Sequence, residues 1–461
     1  LGLRASLPQL DGDVVVVGLT STVSIERDEE GIPVITASNR NDLAFATGYV
    51  HGQDRFFQMD LIRRQAAGEL SDLVGAAALG VDKRYRFHRF RARAQSVWEL
   101  ATGDDKLLLE TYAAGVNAGL QSLSASPFEY FVLGAQPVPW QAQDSLLVMY
   151  AMSMQLNDSR ASKEVRRGFA YSVLPEEVYR WMYPQGTPWD APIMGEPRRV
   201  TPIPPASVYS LRDVQDDAEP AREQGRYPLR GSNNWAVSGD LTATGRAIVS
   251  NDMHLGLKNP NIYYQARLVV TGPDNRDVTG VTLPGGPFVV AGSNSQVAWG
   301  YTNSYGDWTD AVVIRPGATE GTYMTPEGDR AFESHVEVIN VKDGEPVEYV
   351  IRETMWGPVL DDVTYPDGEI AVSWIAHKPE GINLRILDLE TVTSVVEALD
   401  VANTMSMPPQ NFVTGDASGN IGWTIAGQIP RKTGFDAMLP AKKKKKKKTK
   451  QKQKHKKKTK S

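Results

Sequence analysis

The chain reads Gly231-Ser232-Asn233-Asn234-Trp235-Ala236-Val237-Ser238-Gly239 at the start of a strand-like run, so a small hydroxyl side chain directly follows a glycine. If the bond after Gly231 is cut, Ser232 carries both its hydroxyl and a free α-amino group. An α-amine titrates near pH ~8, close enough to neutrality to accept a proton. The stretch is therefore where a self-cleaving hydrolase would form a new N-terminus, with one residue as nucleophile and base. The alternative for these residues alone is a Gly-Ser turn that enters an ordinary strand.

The segment before this stretch has the composition of an exposed linker. From residue 195 to residue 230 the chain is rich in Pro, Arg, Asp and Glu with little periodicity, as in Pro202-Ile203-Pro204-Pro205. Such a composition predicts an irregular connection rather than a helix or a strand.

The two sides of this linker differ in their hydrophobic periodicity. Before it, Asn41 is the predicted N-cap of a long helix that runs toward Leu70. The other elements predicted in this half are strands over 23–28 and 32–36 and helices over 105–122, 143–156 and 160–173. After Ser232, alternation predicts strands over 262–270, 288–291, 297–302, 346–355 and 369–376. A helical half, a linker and a strand-rich half that begins with serine form the layout of a processed precursor.

This layout divides the chain into four predicted segments. They are a helical α-chain-like segment over 1–195, a linker or spacer propeptide over 196–231, a partial β-chain over 232–440 and a lysine-rich disordered tail over 441–461. The partial β-chain begins with the candidate nucleophile.

The charge of the chain is distributed very unevenly. Residues 442–461 hold 14 lysines and no acid, which leaves 36 basic against 55 acidic side chains in the preceding 441 residues, a net charge of −19. A lysine run can bind polyanions by charge alone. The lysine run has no aromatic residues that could stack on bases, and we expect it to be a disordered end of the chain. We expect no nucleic-acid partner for the preceding 441 residues.

The remaining composition excludes several kinds of site. Cysteine is absent, which excludes disulfides, thiolate metal sites and a cysteine nucleophile. No apolar run reaches the length of about 18 residues that a membrane span needs, so no span is expected. The chain begins Leu1-Gly2-Leu3-Arg4, where no signal peptide is visible.

Several motifs occur in a characteristic order. They are Gly48-Tyr49-Val50-His51-Gly52-Gln53-Asp54-Arg55 with Met59-Asp60, Gly231-Ser232-Asn233-Asn234-Trp235, Asn251-Asp252-Met253-His254-Leu255, Trp299-Gly300-Tyr301-Thr302-Asn303, and Asn411 with Gly419-Asn420-Ile421-Gly422. Each is a weak pattern alone. Together, over residues 20–440, they resemble the penicillin acylase (penicillin amidase) family of N-terminal-nucleophile hydrolases, especially its acyl-homoserine-lactone acylase and aculeacin-acylase-like branch.

The resemblance implies an α+β fold, the αββα sandwich of N-terminal-nucleophile hydrolases, with a largely helical N-terminal half. Family members continue beyond the point where the match ends near Pro440, so the sandwich is expected to be C-terminally incomplete. The resemblance also implies autocleavage, by attack of the Ser232 hydroxyl on the carbonyl of Gly231, and a mature α/β heterodimer from one precursor. Glycine suits that bond because it tolerates strained backbone angles.

Four further residues match catalytic positions of the family. His254 lies 22 residues after Ser232 and is assigned an oxyanion and amine-orienting role. Asn303 matches the position whose backbone N–H stabilises the oxyanion, and Asn411 matches the asparagine whose side-chain amide does so; each such donor is worth about 3–4 kcal/mol of barrier. Arg431 matches the family's active-site arginine. The alternatives are a structural histidine, a turn asparagine at 411 and a solvated arginine before the basic tail.

The stretch Asp307-Trp308-Thr309-Asp310 resembles the family's calcium loop. In that loop two carboxylates and an intervening backbone carbonyl, here Asp307, Asp310 and Thr309, bind one structural calcium ion. Glu164 matches the glutamate that joins them from the helical half. Such an ion would tie the two halves together without touching substrate, and the alternative is a pair of solvated acids. No organic cofactor is expected.

These residues and the resemblance together predict a hydrolase of linear amides that works through an acyl-Ser232 intermediate. The predicted small-molecule substrate is an N-acyl-homoserine lactone, which would make the activity quorum quenching, or another lipophilic acyl amide. Leu255, Met152 and Asn157 are the predicted acyl-pocket residues. The alternative within the family is a penicillin or cephalosporin side-chain acylase. The alternative of another class is an unprocessed, inactive polyanion-binding fragment. The resemblance also implies a periplasmic or secreted location.

Overall fold

The computed structural model describes residues 2–442 except for 188, 191, 193–194, 197–199, 211 and 213–230. Most of the predicted linker and nearly all of the lysine tail therefore lie outside the described residues. Within the described part, α-helices dominate the chain before the linker and strands dominate it from residue 231 onward. The expected α+β class with a largely helical N-terminal half is confirmed.

Most helices predicted in the helical half are present, and among the described residues the strand-rich half adds one α-helix of its own. The helices are α1 (Arg40–Ala67), α2 (Ser71–Val74), α3 (Leu79–Arg86), α4 (Phe90–Leu100), α5 (Gly103–Gln121), α6 (Phe128–Leu133), α7 (Asp144–Leu156), α8 (Ser162–Val173), α9 (Glu176–Met182) and α10 (Val395–Thr404). No helix among the described residues is both long enough and apolar enough to cross a membrane.

The strands include two that precede the first helix. They are β1 (Ser24–Arg27), β2 (Pro33–Ala37), β3 (Gly231–Val237), β4 (Ile248–His254), β5 (Tyr264–Val270), β6 (Arg276–Thr282), β7 (Val289–Ser293), β8 (Val297–Asn303), β9 (Thr309–Ile314), β10 (Thr322–Thr325), β11 (Gly328–Ala331), β12 (Glu333–Ile339), β13 (Val347–Thr354), β14 (Gly357–Pro358), β15 (Glu369–Trp374), β16 (Gln410–Asp416) and β17 (Ile421–Ala426).

Helix α1 begins earlier than predicted, because Asn39 rather than Asn41 is its N-cap. Asn39 has an extended backbone, with φ −152° and ψ 164°, and its side chain accepts a hydrogen bond from the N–H of Asp42. Asn41 instead lies within the first turn. The preference for asparagine at this position holds, but it applies to the earlier of the two asparagines.

Helices α1 and α5 pack unusually close because both have glycines at their contact. A Cβ on Gly115 of α5 would lie 1.9 Å from the carbonyl oxygen of Phe45, and a Cβ on Gly52 of α1 would lie 2.2 Å from that of Val116. The obstructing atoms belong to the backbone and cannot rotate away as a side chain can. Any side chain at these glycines must therefore push the two helices apart.

We expect Gly115→Ala to lower the free energy of unfolding by about 3 kcal/mol, the upper end of the usual cost of overpacking. Urea unfolding measures the change. Gly103→Ala is the matched control in the same helix, since nothing lies within 4 Å of its Cβ position and alanine favours the helix. Equal urea midpoints for the two variants would show that the close packing of α1 and α5 contributes nothing to the free energy of unfolding.

The main sheet takes strands from both halves of the chain. Its order is β1-β2-β5-β6-β7-β8-β16-β17. Strand β2, from before the linker, runs parallel to β5, with Ile35 opposite Leu268. Both of these residues are fully buried, at 0% and 1% exposure, and belong to one hydrophobic core. The two predicted chains therefore share a sheet and a core rather than forming separate domains.

The β3–β4 hairpin lies on one face of this sheet, and helices lie on the other. On the hairpin side, a Cβ on Gly300 of β8 would lie 2.8 Å from Cβ of Asn251 in β4. On the opposite side, Gly422 of β17 faces Val395 of α10. The order of layers is helix, sheet, hairpin, which corresponds to the first three layers of the αββα sandwich. Trp235, on the outer face of the hairpin, is 52% exposed and so is not covered by a helix of the described residues.

A buried histidine connects the helical layer to the main sheet. His51 of α1 is fully buried, and its ring nitrogens lie 2.8 Å from the hydroxyl of Tyr112 and 2.9 Å from that of Thr282. The Thr282 hydroxyl donates to the carbonyl of Tyr264, so it accepts from Nε2–H of His51. Nδ1 of His51 then accepts a hydrogen bond from the Tyr112 hydroxyl, so the imidazole ring must be neutral. Burial lowers the pKa of His51 to about 3.

Stability is expected to fall as pH decreases below about 6.5, the ordinary histidine pKa that applies in the unfolded chain. There the unfolded state binds a proton that the folded His51 does not, and this continues down to the folded pKa of about 3. At pH 5 the loss is about 2 kcal/mol per such histidine. His88 and His377 are buried and add to the effect, because burial also lowers the pKa of each.

The measurement is urea unfolding of the wild type and of His51→Gln at pH 7.5 and pH 5. The glutamine variant is expected to be less stable at pH 7.5 but to lose less stability on acidification. Equal acid-induced losses in the two proteins would contradict the role of His51.

Candidate active site

Ser232 lies on the face of the hairpin that is turned toward the main sheet. In the β3–β4 register Ser232 is opposite Met253, and the backbone N–H of Asn303, at the end of β8, donates to Ser232 Oγ at 3.2 Å. The hydroxyl therefore already touches the backbone group that the sequence predicts as an oxyanion donor. A substrate carbonyl oxygen that replaced this contact would receive the same N–H.

The hairpin is fixed on the sheet by the side chain of Asn251. Its Nδ2 donates to the carbonyl of Tyr301 at 2.9 Å, and its Oδ1 accepts from the N–H of Tyr301 at 3.0 Å. The side-chain amide of Asn251 thus forms with β8 the donor and acceptor pair of hydrogen bonds that the backbone of a neighbouring strand would form. The space it needs exists because Gly300 has no side chain, as its Cβ would lie 2.8 Å from that of Asn251. This attachment sets the position of Ser232 relative to Asn303.

Asn411 adds a third predicted residue to the same place. It is opposite Thr302 in the β16–β8 register, and its Nδ2 donates to the carbonyl of Asn303 at 3.4 Å. Nε1 of Trp423 donates to Asn411 Oδ1 at 3.1 Å. Because its oxygen accepts this bond, the amide directs its N–H groups away from Trp423 and toward the carbonyl of Asn303. The structure therefore brings Ser232, Asn303 and Asn411 together.

His254 lies beside Gly231 rather than beside the Ser232 hydroxyl. The register pairs His254 with Gly231, and successive residues of a strand point to opposite faces. The His254 ring is consequently on the outer face of the hairpin, with Nδ1 3.3 Å from the position that a Cβ of Gly231 would take. Its Nε2 lies 2.7 Å from Oδ2 of Asp252. This pair lies next to the residue that precedes the predicted cleavage point.

Arg431 follows β17 and is exposed. Within the described residues, no hydrogen bond or ion pair joins it to Ser232, Asn303 or Asn411. Its catalytic role stays a prediction.

An apolar pocket opens beside the serine, with about 820 Å³ of empty space including its mouth. Met253 lines the pocket and is the direct partner of Ser232, while Gln410 lines it and is the partner of Asn303. The other large apolar side chains of the lining include Met149, Met152, Met405, Met407, Phe288 and Tyr263. The pocket therefore suits a flexible apolar group attached next to the reacting carbonyl.

The three predicted pocket residues are placed differently. Met152 of α7 lines the pocket. Asn157 ends α7 and accepts a hydrogen bond from Nε1 of Trp374 at 3.2 Å, and Leu255 follows the end of β4. Neither Asn157 nor Leu255 is among the lining residues of the pocket. Their contact with substrate stays a prediction.

The predicted metal ligands form a cluster in which Glu164, Asp307 and Asp310 each offer an oxygen within 4.8 Å of the others. The N–H of Ala311 donates to Glu164 Oε2 at 2.8 Å, whereas Glu164 Oε1 is buried without a hydrogen bond. Such an oxygen, in a set of carboxylates, suits a hard cation. Thr309, which the sequence predicts to add its carbonyl, is buried between the two aspartates. Calcium at this cluster stays a prediction.

The cluster also contains a lysine, Lys432, that no motif of the sequence predicts there. Lys432 Nζ lies 2.6 Å from Asp307 Oδ2 and 2.9 Å from Asp310 Oδ1. Its distance to Glu164 is longer, at 3.8 Å. Burial, reinforced by the neighbouring charges of Asp310 and Asp307, raises the pKa of Glu164 to about 9. Lys432 thus pairs with the two aspartates rather than with Glu164.

The layer order, with Ser232 as the second residue of a hairpin strand against the main sheet, matches the first three layers of the sandwich of N-terminal-nucleophile hydrolases. The penicillin amidase family model matches residues 22–454, and the chain belongs to this family.

Curated relatives carry two kinds of name. The chain is 30% identical to penicillin acylase 2 proenzyme of Pseudomonas sp. (strain SE83), over 95% of this chain and 56% of that protein. It is 27% identical to the acyl-homoserine lactone acylase QuiP of Pseudomonas syringae pv. syringae, over 94% of this chain and 52% of that protein. The chain thus spans about half the length of the curated relatives it matches. Among solved structures, the thermostable penicillin G acylase from Alcaligenes faecalis in orthorhombic form matches with 26% identity and a TM-score of 0.40, covering 45% of this chain and 38% of that chain.

Proposed function

We propose that Ser232, released as an N-terminus by cleavage after Gly231, hydrolyses the amide bond of N-acyl substrates. The observation that carries this proposal is the contact between Ser232 Oγ and the N–H of Asn303 at 3.2 Å, with the Asn411 amide 3.4 Å from the Asn303 carbonyl. One donor thus contacts the candidate nucleophile directly, and the second candidate donor lies against the same residue, Asn303. Membership of the penicillin amidase family supports amide hydrolysis, and the word proenzyme in the name of one relative supports processing.

The proposed reaction starts when Ser232 Oγ attacks the carbonyl carbon of the substrate amide and its proton passes to the α-amino group of Ser232. The negative charge that develops on the carbonyl oxygen is stabilised by Asn303 N–H and Asn411 Nδ2. The C–N bond then breaks, and the amine leaves with the proton from the α-amino group. Water attacks the acyl-Ser232 ester in the same way and releases the carboxylic acid.

Cleavage of the precursor is proposed to follow the same chemistry on the chain itself. The Ser232 hydroxyl attacks the carbonyl carbon of Gly231, the C–N bond between Gly231 and Ser232 breaks, and the released amine takes up the hydroxyl proton. Water then hydrolyses the resulting ester to give two chains. The ring of His254, hydrogen-bonded to Asp252 and adjacent to Gly231, lies on the face of the hairpin opposite to the Ser232 hydroxyl, so we propose no proton transfer to it in this step. The two chains of the resulting heterodimer would stay together through the shared sheet, in which β2 pairs with β5.

The acyl group is proposed to occupy the methionine-rich pocket beside Ser232. Methionine side chains are flexible and adapt to irregular apolar groups. Met149, Met152, Met253, Met405 and Met407 all line this pocket. A flexible aliphatic acyl chain therefore suits the apolar lining of the pocket. We propose N-acyl-homoserine lactones as the first candidate substrates. The name of the 27% identical relative supports this choice.

A penicillin acylase activity is the second candidate, since the name of the 30% identical relative favours it. Turnover of the full-length protein with acyl-homoserine lactones of several chain lengths and with penicillins separates the two. Faster turnover of long aliphatic acyl-homoserine lactones supports the first candidate. Faster turnover of penicillins would replace it with the second. We further propose a periplasmic or secreted location, which fractionation of the producing cells tests.

A further inference from the structure

The segment after β17 contacts both elements that form the acidic cluster. We call residues 429–442 the strap. The N–H of Ala441 donates to the carbonyl of Ala311 in β9 at 2.7 Å. Pro440 packs on α8 so closely that a Cβ on Gly168 would lie 2.5 Å from its Cδ. The strap thus crosses the place where α8 and β9 meet.

Lys432 attaches the strap to the cluster itself. Its side chain is 12% exposed, and its Nζ contacts Asp307 and Asp310 at 2.6 and 2.9 Å. Glu164, at 3% exposure, directs a second oxygen into the same space without a hydrogen bond. Two aspartates, one unpartnered buried oxygen and one ammonium therefore share a single small volume.

A metal ion and this ammonium cannot occupy that volume together. A divalent ion such as calcium binds carboxylate oxygens at about 2.3–2.6 Å. The Lys432 ammonium lies within 2.6 and 2.9 Å of oxygens of Asp307 and Asp310, so it would clash with the ion and repel its charge. Metal binding must consequently displace Lys432 and the part of the strap that carries it.

We propose that Lys432 is a built-in competitor of a divalent metal ion at this cluster. With the metal absent, the ammonium compensates the aspartates and holds the strap against α8 and β9. With the metal bound, Lys432 leaves and this end of the strap detaches. The competition weakens metal binding and reduces the dependence of the fold on metal.

Terbium luminescence gives a direct test in the full-length protein. Trp308 lies in sequence between Asp307 and Thr309, so a Tb³⁺ ion at the cluster is close enough to be sensitised by the indole. Calcium affinity follows from displacement of the terbium. We expect Lys432→Met to bind calcium at least tenfold more tightly than the wild type. Lys432→Arg, which keeps the positive charge, is expected to bind as weakly as the wild type.

Lys442→Met is the matched control. Lys442 belongs to the same strap but pairs with Asp367 at 2.5 Å, away from the cluster. The Lys442→Met substitution should leave the calcium affinity of the protein unchanged. Equal affinities of the wild type and Lys432→Met, or tighter binding by Lys442→Met, would overturn the proposal. Absence of terbium and calcium binding in Lys432→Met would also overturn it.

Thermal unfolding provides a second readout that does not depend on luminescence. Without calcium, Lys432→Met is expected to have a lower Tm than the wild type, because Asp307 and Asp310 are left without a cation. Calcium should raise its Tm by more than that of the wild type. If Lys432→Met does not fold, Lys432→Gln with calcium present throughout purification is compared with Lys432→Arg. An equal effect of chelator on the Tm of those two variants would contradict the proposal.

Discussion

Ser232→Ala is expected to leave the full-length protein as one uncut chain with no measurable amide hydrolysis. One hydroxyl is proposed to make both attacks, on Gly231 during processing and on substrate afterwards, so its loss removes both. We expect turnover to fall at least about a thousandfold. Ser232→Cys is expected to retain processing, since a thiol can make the same attack. Gel electrophoresis under denaturing conditions and an amine-release assay measure the two effects.

Ser250→Ala is the matched control for this experiment. Ser250 lies in the same hairpin, opposite Trp235 and therefore on the outer face. Its substitution should leave processing and turnover close to those of the wild type. An Ser232→Ala protein that still yields two chains would exclude Ser232 as the residue that cuts the precursor.

Asn411→Ala is expected to process normally but to turn over substrate at least about a hundredfold more slowly, the usual cost of losing one oxyanion donor. The amide of Asn411 stabilises charge that develops only in the transition state, so kcat should fall while KM changes little. Trp423→Phe should give a smaller loss of kcat, because it removes the indole N–H that orients this amide at 3.1 Å.

The control for Asn411 is Asn403→Ala. Asn403 is an exposed asparagine of α10 whose side chain accepts a hydrogen bond from Thr424, in the strand that pairs with β16. We expect its turnover to match that of the wild type. Full turnover by processed Asn411→Ala would mean that Asn411 is only a strand residue of β16 and makes no catalytic contact.

Local patterns in the sequence were sufficient for most elements near the site. Alternation predicts β8 to within its last residue, and the predicted bounds of β5 and α7 differ from the observed bounds by small shifts at their ends. Local signals were less reliable where two equal candidates adjoin. Asn39 and Asn41 are both good caps, and only the backbone conformation decides between them.

Contacts between distant segments are what the sequence could not predict. The pocket methionines come from α7, β4 and the segment before β16, and no local pattern connects these elements. Lys432 stands directly after Arg431, close to a lysine-rich tail, so its place among buried carboxylates depends entirely on the strap. The face of the hairpin on which the His254 ring lies follows only from the β3–β4 register, which pairs His254 with Gly231. The glycines of α1 and α5 do carry a local signal, since small residues spaced four apart permit close helix packing.

The central claim is that Ser232 becomes the N-terminal residue of a separate chain and reacts as its nucleophile. The most direct test is mass spectrometry of the full-length protein, before and after mixing with substrate and rapid acid quenching. We predict two chains, one of which begins at Ser232 and gains the mass of the acyl group on its N-terminal peptide. A single uncut chain that hydrolyses the substrate, or an acyl group attached to a residue other than Ser232, would contradict the claim.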